Sequence, residues 1–406
     1  MLQRTRRFVF VAVAALGVGA FGAGCGDLLT QEPSPGDLFD APFDDLPPAL
    51  NAAFVEGDEN FGRTFIPHDG LGPIFNQPSC AACHSGDGRG TPREALVRFS
   101  RGGDLAFGEG GPQLQDKAIP GVPVERLPEG VETSTRLPPP VFGMGLIEAI
   151  PEDVILALAD PDDADGDGIS GRPNLVYAET YVPASEIGGG DGLQLGRFGR
   201  KASVSSLLNQ VVAAYHQDMG VTSDFLPVEN PHPQAGAVAL GDQVADPEIP
   251  ASDVLETVVY MRLVAPPRRG PITPRVAAGE AAFTQIGCAK CHVPVLETGP
   301  NDIAALSEKP VELYSDLLLH DMGEALADNR ADGEATGREW RTAPLWGTRL
   351  VRDFLDGQAF FLHDGRAVTL DEAIRLHGGE AAGARDAYAA MDADARANLI
   401  AFLESL

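Results

Sequence analysis

Apolar residues recur at helical spacing in several stretches of the chain, separated by long stretches with no period at all. From Pro48 to about Phe61 the residues Ala49, Leu50, Ala53 and Phe54 fall on one face, which predicts a helix. A stronger pattern runs from about Ala202 to Met219, where Val204, Leu207, Leu208, Val211, Val212, Tyr215 and Met219 share a face before Gly220; this is expected to be a core helix. Val254, Leu255, Val258, Val259 and Met261 predict another helix over about 252–264, ended by Pro266-Pro267. Gly279, Ala282 and Phe283 predict a short helix leading into Cys288, and Leu399, Phe402, Leu403 and Leu406 make a single apolar stripe over 394–406. Thr369-Leu370-Asp371-Glu372 reads as a capping box, and the start it fixes puts Leu370, Ala373, Ile374 and His377 on one face. Between His84 and about Arg200 the chain is dense in Gly and Pro, which predicts long loops.

Two short stretches give these helices a common purpose. Cys80-Ala81-Ala82-Cys83-His84 and Cys288-Ala289-Lys290-Cys291-His292 each place two thiols on one helical turn with an imidazole directly after. Thiols so spaced can add across the two vinyl groups of a haem, and the imidazole can then bind its iron. A redox disulfide or half a zinc site also uses Cys-x-x-Cys, but neither requires His after the second Cys in both copies. Helix, motif, loop region and terminal helix then occur twice, so the expectation is an all-α chain of two cytochrome c-like domains carrying two covalently attached c-type haems. The first domain spans 49–265 with a loop-rich insertion over about 100–245, a linker covers 266–274, and the second domain spans 275–406.

Composition adds a compartment. Of five cysteines four lie in the motifs, and the fifth, Cys25, follows Gly22-Ala23-Gly24. Arg4, Arg6 and Arg7 precede an uncharged run from Phe8 to Gly24, shorter and less apolar than the roughly 20 residues of a membrane span. Residues 1–24 are therefore expected to be an export signal. The residues before Cys25 resemble a bacterial lipoprotein signal, in which that thiol is lipidated; without lipidation the protein would be soluble and exported. Residues 25–48 read as an acidic, Pro-containing tether. The formal charge is −29, which makes nucleic acid an unsuitable partner and suits either a basic electron donor or simple solubility.

Asp163, Asp165 and Asp167, followed by Gly168, match the first half of a calcium loop, with Asn174 where the bidentate Glu would stand; calcium and a solvated acidic turn are both open. His216 sits at the edge of an apolar face. His68 and His232 lie beside Pro in loops and are expected to be exposed.

The chain resembles a family of di-haem oxidoreductases, also labelled di-haem peroxidases or thiol oxidoreductases. The likeness rests on the two motifs with Gly70-Leu71-Gly72-Pro73 and Phe75-Asn76 before the first, and Gly196-Arg197-Phe198-Gly199 and Asp218-Met219-Gly220 in the insertion. Arg341-Thr342-Ala343-Pro344-Leu345 and His363-Asp364-Gly365-Arg366 are similar to the C-terminal domain of bacterial di-haem cytochrome c peroxidases and the methylamine-utilisation haem oxidase. The resemblance implies an oxidoreductase that reduces hydrogen peroxide at the first haem, with electrons from a small redox protein or other donor relayed through the second. A non-enzymatic di-haem electron carrier and a haem oxidase modifying a protein partner are the alternatives. It further implies His84 and His292 as proximal iron ligands and Glu148, Gln113 and Gln115 as candidate acid–base residues over the first haem. His320 and His363 are expected to hydrogen-bond a haem propionate or backbone. Patterning and resemblance together make His377 the expected distal ligand of the second haem, with Met322 as its rival. The only tryptophans, Trp340 and Trp346, are both in the second unit, and no cysteine remains for thiol chemistry. The expected location is periplasmic or at the outer membrane or cell surface of a bacterium, with the membrane reached only through a lipid anchor.

Overall fold

A computed structural model describes residue 36 and residues 38–183, 192–235 and 241–406 of the chain. The expected export signal, Cys25 and the first half of the expected tether lie outside the described residues; in the rest of the tether Phe39, Ala41 and Leu46 are buried. Contacts from Pro35 to Leu406 form one compact unit.

The helices are α1 (Pro48–Gly62), α2 (Met144–Ala149), α3 (Glu152–Leu156), α4 (Leu207–Ala213), α5 (Ala251–Leu263), α6 (Pro274–Gln285), α7 (Val351–Phe354), α8 (Leu370–Leu376), α9 (Ala382–Ala390) and α10 (Ala393–Leu403). The pair α1 and α5 and the pair α6 and α10 make the most extensive helix contacts. Both pairs cross at a glycine. A Cβ on Gly57 would stand 2.3 Å from the Glu256 carbonyl oxygen, and one on Gly279 would stand 2.0 Å from that of Asn398. Aromatic residues repeat around the crossings: Phe61 lies 5.3 Å from Tyr260 and 6.3 Å from His84, while Phe283 lies 5.2 Å from Phe402 and 6.2 Å from His292. The second half therefore repeats the helical frame of the first.

The long α4 expected from Ala202 begins only at Leu207. Ala202 has a positive φ of 50° and Val204 pairs with Phe198, so the chain is extended until the Ser206 hydroxyl accepts from Asn209 N and starts the helix. A π-helical turn, Ala214–Asp218, then carries the chain to Met219.

The all-α expectation is corrected: the protein is mixed α/β. Short strands β1 (Ile74–Phe75), β2 (Leu96–Ser100), β3 (Lys117–Ala118), β4 (Glu132–Arg136), β5 (Leu175–Tyr177), β6 (Leu193–Leu195), β7 (Leu296–Glu297), β8 (Pro310–Val311), β9 (Leu319–Asp321) and β10 (Glu339–Arg341) form five two-stranded sheets. All five pairs are antiparallel. Buried backbone groups must be paired, and the Gly- and Pro-rich stretch read as loops meets that demand with hairpins. β4, one of the two five-residue strands, hid its period because its inward residues, Ser134 and Arg136, are polar.

The main apolar core contains residues from both sides of 266–274, among them Leu208, Tyr260, Leu313, Leu318 and Trp346. Trp346 packs on Gly143, where a Cβ would come within 2.5 Å of the indole. A second core around Val276, Phe283, Tyr314, Tyr388 and Phe402 backs the second motif.

Candidate functional site

The second motif is built by the end of α6. Gly287, with φ +93°, turns the chain into a single tight turn over Cys288–Lys290, and His292 N closes onto the Cys288 carbonyl at 3.0 Å. Residues 314–316 hold this turn from outside: Ser315 N donates to Val293 O and Asp316 N to Cys291 O, each at 2.9 Å. His292 Nδ1 lies 2.9 Å from the Tyr314 carbonyl. A carbonyl only accepts, so Nδ1 carries the proton and Nε2 keeps its lone pair for a metal. Burial pushes the His292 pKa down to about 4, which keeps the ring neutral.

His292, Cys288 and Cys291 line a cavity of about 470 Å³, together with Met322, His377, His363 and Trp340. That volume lies within the range of small-molecule and cofactor sites. The Thr369 capping box is present: Thr369 Oγ1 accepts from Glu372 N at 3.1 Å, although Glu372 returns to Val368 N and not to Thr369 N. His377 follows the last turn of α8 and its Nδ1 is 2.7 Å from Ala373 O, which again leaves Nε2 as the free nitrogen. The glycines after it, Gly378 and Gly379, make room for neighbouring backbone. A Cβ on Gly378 would meet Met322 O at 3.0 Å and one on Gly379 would meet Asp321 O at 2.0 Å. They let the Met322 strand pass, so the two candidate ligands of this cavity are neighbours.

His320 is occupied. Its Nε2 donates to Asp316 at 2.8 Å and its Nδ1 to Glu380 at 2.7 Å, with Cys291 Sγ at 3.5 Å. Hydrogen bonds to the two carboxylates outweigh burial and raise its pKa to about 12, leaving no lone pair for a metal. His363 stacks on Trp340 with ring centres 3.7 Å apart and planes at 10°, and burial lowers its pKa to about 4.

At the first motif Cys83 N and His84 N both close onto the Cys80 carbonyl at 3.0 Å, giving the same tight turn. Cys83, Cys288 and Cys291 are free thiols. His84 is pushed down to about 4 by burial, against the raising influence of the Pro139 and Gly88 backbones. Gln113 donates to Asn76 at 2.8 Å and to Asp218 at 2.6 Å, while Gln115 donates to Gln217 O at 2.9 Å. Glu148 stands apart from both, accepting from Leu207 N at 2.7 Å and from Arg262 at 2.6 Å. It ties α2 to α4 and α5. Asp218 is the residue the sequence reading missed as a candidate: burial raises its carboxyl to about 6, and its charge helps push the Cys83 thiol up to about 12. Its only signal in the sequence was its place in Asp218-Met219-Gly220.

The acidic loop is rearranged relative to expectation. Asp160, Asp163 and Asp165 bring their oxygens within 4.8 Å of one another, whereas Asp167 turns to Lys290 of the second motif at 2.9 Å. Asn174 is buried elsewhere, donating to Lys201 O and Asp332 O. His232 is buried rather than exposed, with Nε2 2.7 Å from Pro123 O, and His216 bonds Val228 O. His68 is exposed as expected.

A family model described as "Di-haem oxidoreductase, putative peroxidase" matches residues 120–406. No curated protein matches the chain. Among solved structures, a hydrazine synthase of Kuenenia stuttgartiensis aligns over 100% of both chains at 14% identity and a TM-score of 0.38, too weak a likeness to carry any argument. The family match spans the larger part of the chain and takes in the second cysteine–histidine motif with its cavity: the protein belongs to the di-haem oxidoreductase family, whose cofactor is haem.

Proposed function

We propose that the protein is an exported di-haem c-type peroxidase, with one haem joined to Cys80 and Cys83 under His84 and the other to Cys288 and Cys291 under His292. The observation that carries this reading is the second cavity, where a neutral imidazole with its Nε2 free shares 470 Å³ with two unlinked thiols. The ring of His84, kept neutral by burial, supports the same role at the first motif. Bound haem supplies iron that exchanges single electrons and, where a coordination position is open, takes peroxide.

The chain's own residues divide the work. Tyr314 O fixes the tautomer of His292, and Ala373 O that of His377, which we assign as the second ligand of that haem; such a closed pair suits electron relay. At the first site proton handling falls to Asp218, oriented by Gln113, in place of Glu148, whose carboxylate is committed to Arg262. Hydrogen peroxide is the substrate, reduced by two electrons delivered one at a time, and the acidic surface suits a basic redox protein as donor. Export and anchoring through lipidated Cys25 complete the reading, and the Asp160, Asp163 and Asp165 grouping supports calcium beside the second motif.

Intact mass of the purified protein should exceed the mature polypeptide by two haems and, at Cys25, by lipid. Isothermal titration should give calcium heat that is lost in Asp163→Ala. The deciding experiment is stopped-flow: protein reduced by a basic cytochrome should be reoxidised by hydrogen peroxide, and its reduction should slow as salt rises. Peroxide that leaves the spectrum reduced, with both haems low-spin, would establish an electron carrier instead.

A further inference from the structure

Three guanidinium groups reach the cavity of the second motif from three separate segments: Arg89 from the loop after His84, Arg200 from the chain after Phe198, and Arg341 from the end of β10. Among the described residues their hydrogen-bond acceptors are all backbone carbonyls. Arg89 donates to Phe360 O at 2.9 Å, Arg200 to Leu137 O at 2.7 and 3.1 Å, and Arg341 to Gly199 O at 3.0 Å and Thr342 O at 3.3 Å. Among the described residues no carboxylate pairs with any of them. The acids nearest in effect are committed elsewhere, Asp364 to Arg366 at 2.7 Å and Asp316 to His320 at 2.8 Å. Carbonyl acceptors would be served as well by a neutral Gln or Asn. Gathering half-buried, mutually repelling cations around one cavity is costly unless an anion joins them. Much of the rest of the cavity wall is apolar, with Phe283, Leu345, Ile374, Leu399 and Leu403. Its complement is a flat apolar body bearing carboxylates at one edge.

We propose that Arg89, Arg200 and Arg341 form a carboxylate clamp that takes the propionates of the haem at the second motif and so ties segments of both halves to that haem. This rests on the haem proposed there. Guanidinium forks match carboxylates in pairs of charge-assisted hydrogen bonds, and three cations against two propionates leave one positive charge in excess. Burial disfavours the charged form of Arg200 most, followed by the fields of Arg89, Arg341 and Arg136.

The test uses the haem-loaded full-length protein and its Arg89→Gln, Arg200→Gln, Arg341→Gln and Arg200→Lys variants, with haem content checked by mass. Optical redox titration should show a midpoint for the second haem that is nearly flat with pH in the wild type. Each Gln variant should lower it, because the lost positive charge had favoured the ferrous form, and should make it pH-dependent as the freed propionates take up protons; Arg200→Lys should restore part of the shift. Redox-difference infrared spectra should move the propionate carboxylate bands in step. Haem-loaded Gln variants with unmoved potentials and unmoved bands would overturn the clamp. So would a wild-type potential already proton-coupled, or one that tracks added acetate and so points to a free anion as the occupant. The wild-type measurements decide even if a variant fails to fold. A wild-type mass lacking the second haem would instead sink the haem assignment, and the clamp with it.

Discussion

The two nitrogens of His377 have unlike surroundings, and its assignment turns on that difference. Nδ1 is tied to Ala373 O while Nε2 shares the cavity with His292. His377→Ala should convert one low-spin haem to high-spin in the ferric spectrum with haem content unchanged, and an unaltered spectrum would transfer the role to adjacent Met322. The capping box made the start of α8 readable in the sequence, and with it the direction of this ring. What could not be read was the reason for Gly378-Gly379, because it lies in the backbone of Asp321 and Met322, which is distant in sequence. Glu229 shows the other kind of residue that patterning misses. Both its carboxylate oxygens are buried without a donor, and burial together with Glu248, Asp246 and Asp242 raises its pKa to about 9. A carboxyl raised in the folded state binds its proton more tightly there than in the unfolded chain. Its contribution to stability is therefore full below about pH 4.5, the ordinary value, and is lost as pH climbs toward about 9. Tm should fall between mildly acidic and mildly alkaline pH, and Glu229→Gln should flatten that slope.

Between elements, the glycines at the two helix crossings carry the sharpest consequence. Gly279 lets α6 lie against the Asn398 carbonyl and the Phe402 Cβ, and backbone cannot rotate out of the way of an added methyl. Gly279→Ala gains about 1 kcal/mol in helix propensity but should lose more through overpacking, about 1–3 kcal/mol net or above, seen as a lower Tm. Gly57→Ala should do the same at the crossing of α1 and α5, and a substitution that raised Tm at either place would contradict the close approach. Helices with apolar stripes were legible because period and burial coincide, as in Leu399, Phe402 and Leu403. The hairpins were not. β4 buries Ser134 and Arg136, the arginine donating to the Ser134 hydroxyl and to Asp332, so its inward face has the composition of a surface.

Across the whole molecule, the two motifs and the order of helices around them could be read directly, because covalent chemistry and helical period both act over a few residues. The joining of the halves could not, since it depends on contacts such as Leu208 and Leu318 in one core and on arginines that enter the second cavity from segments far apart in sequence. One of these long-range contacts decides what an observer of unfolding can see. The only two indoles are Trp340, lying flat on His363 in the cavity wall, and Trp346, seated on Gly143. With haem in that cavity, Trp340 emission is expected to be quenched by energy transfer until the cavity opens, while Trp346 reports only on the seam where it meets Gly143. Tryptophan fluorescence would then brighten as the second half opens and Trp340 draws away from the covalently held haem, whereas α1 and the β2–β4 hairpin carry no indole, so their melting would pass unseen for as long as the seam at Gly143 held.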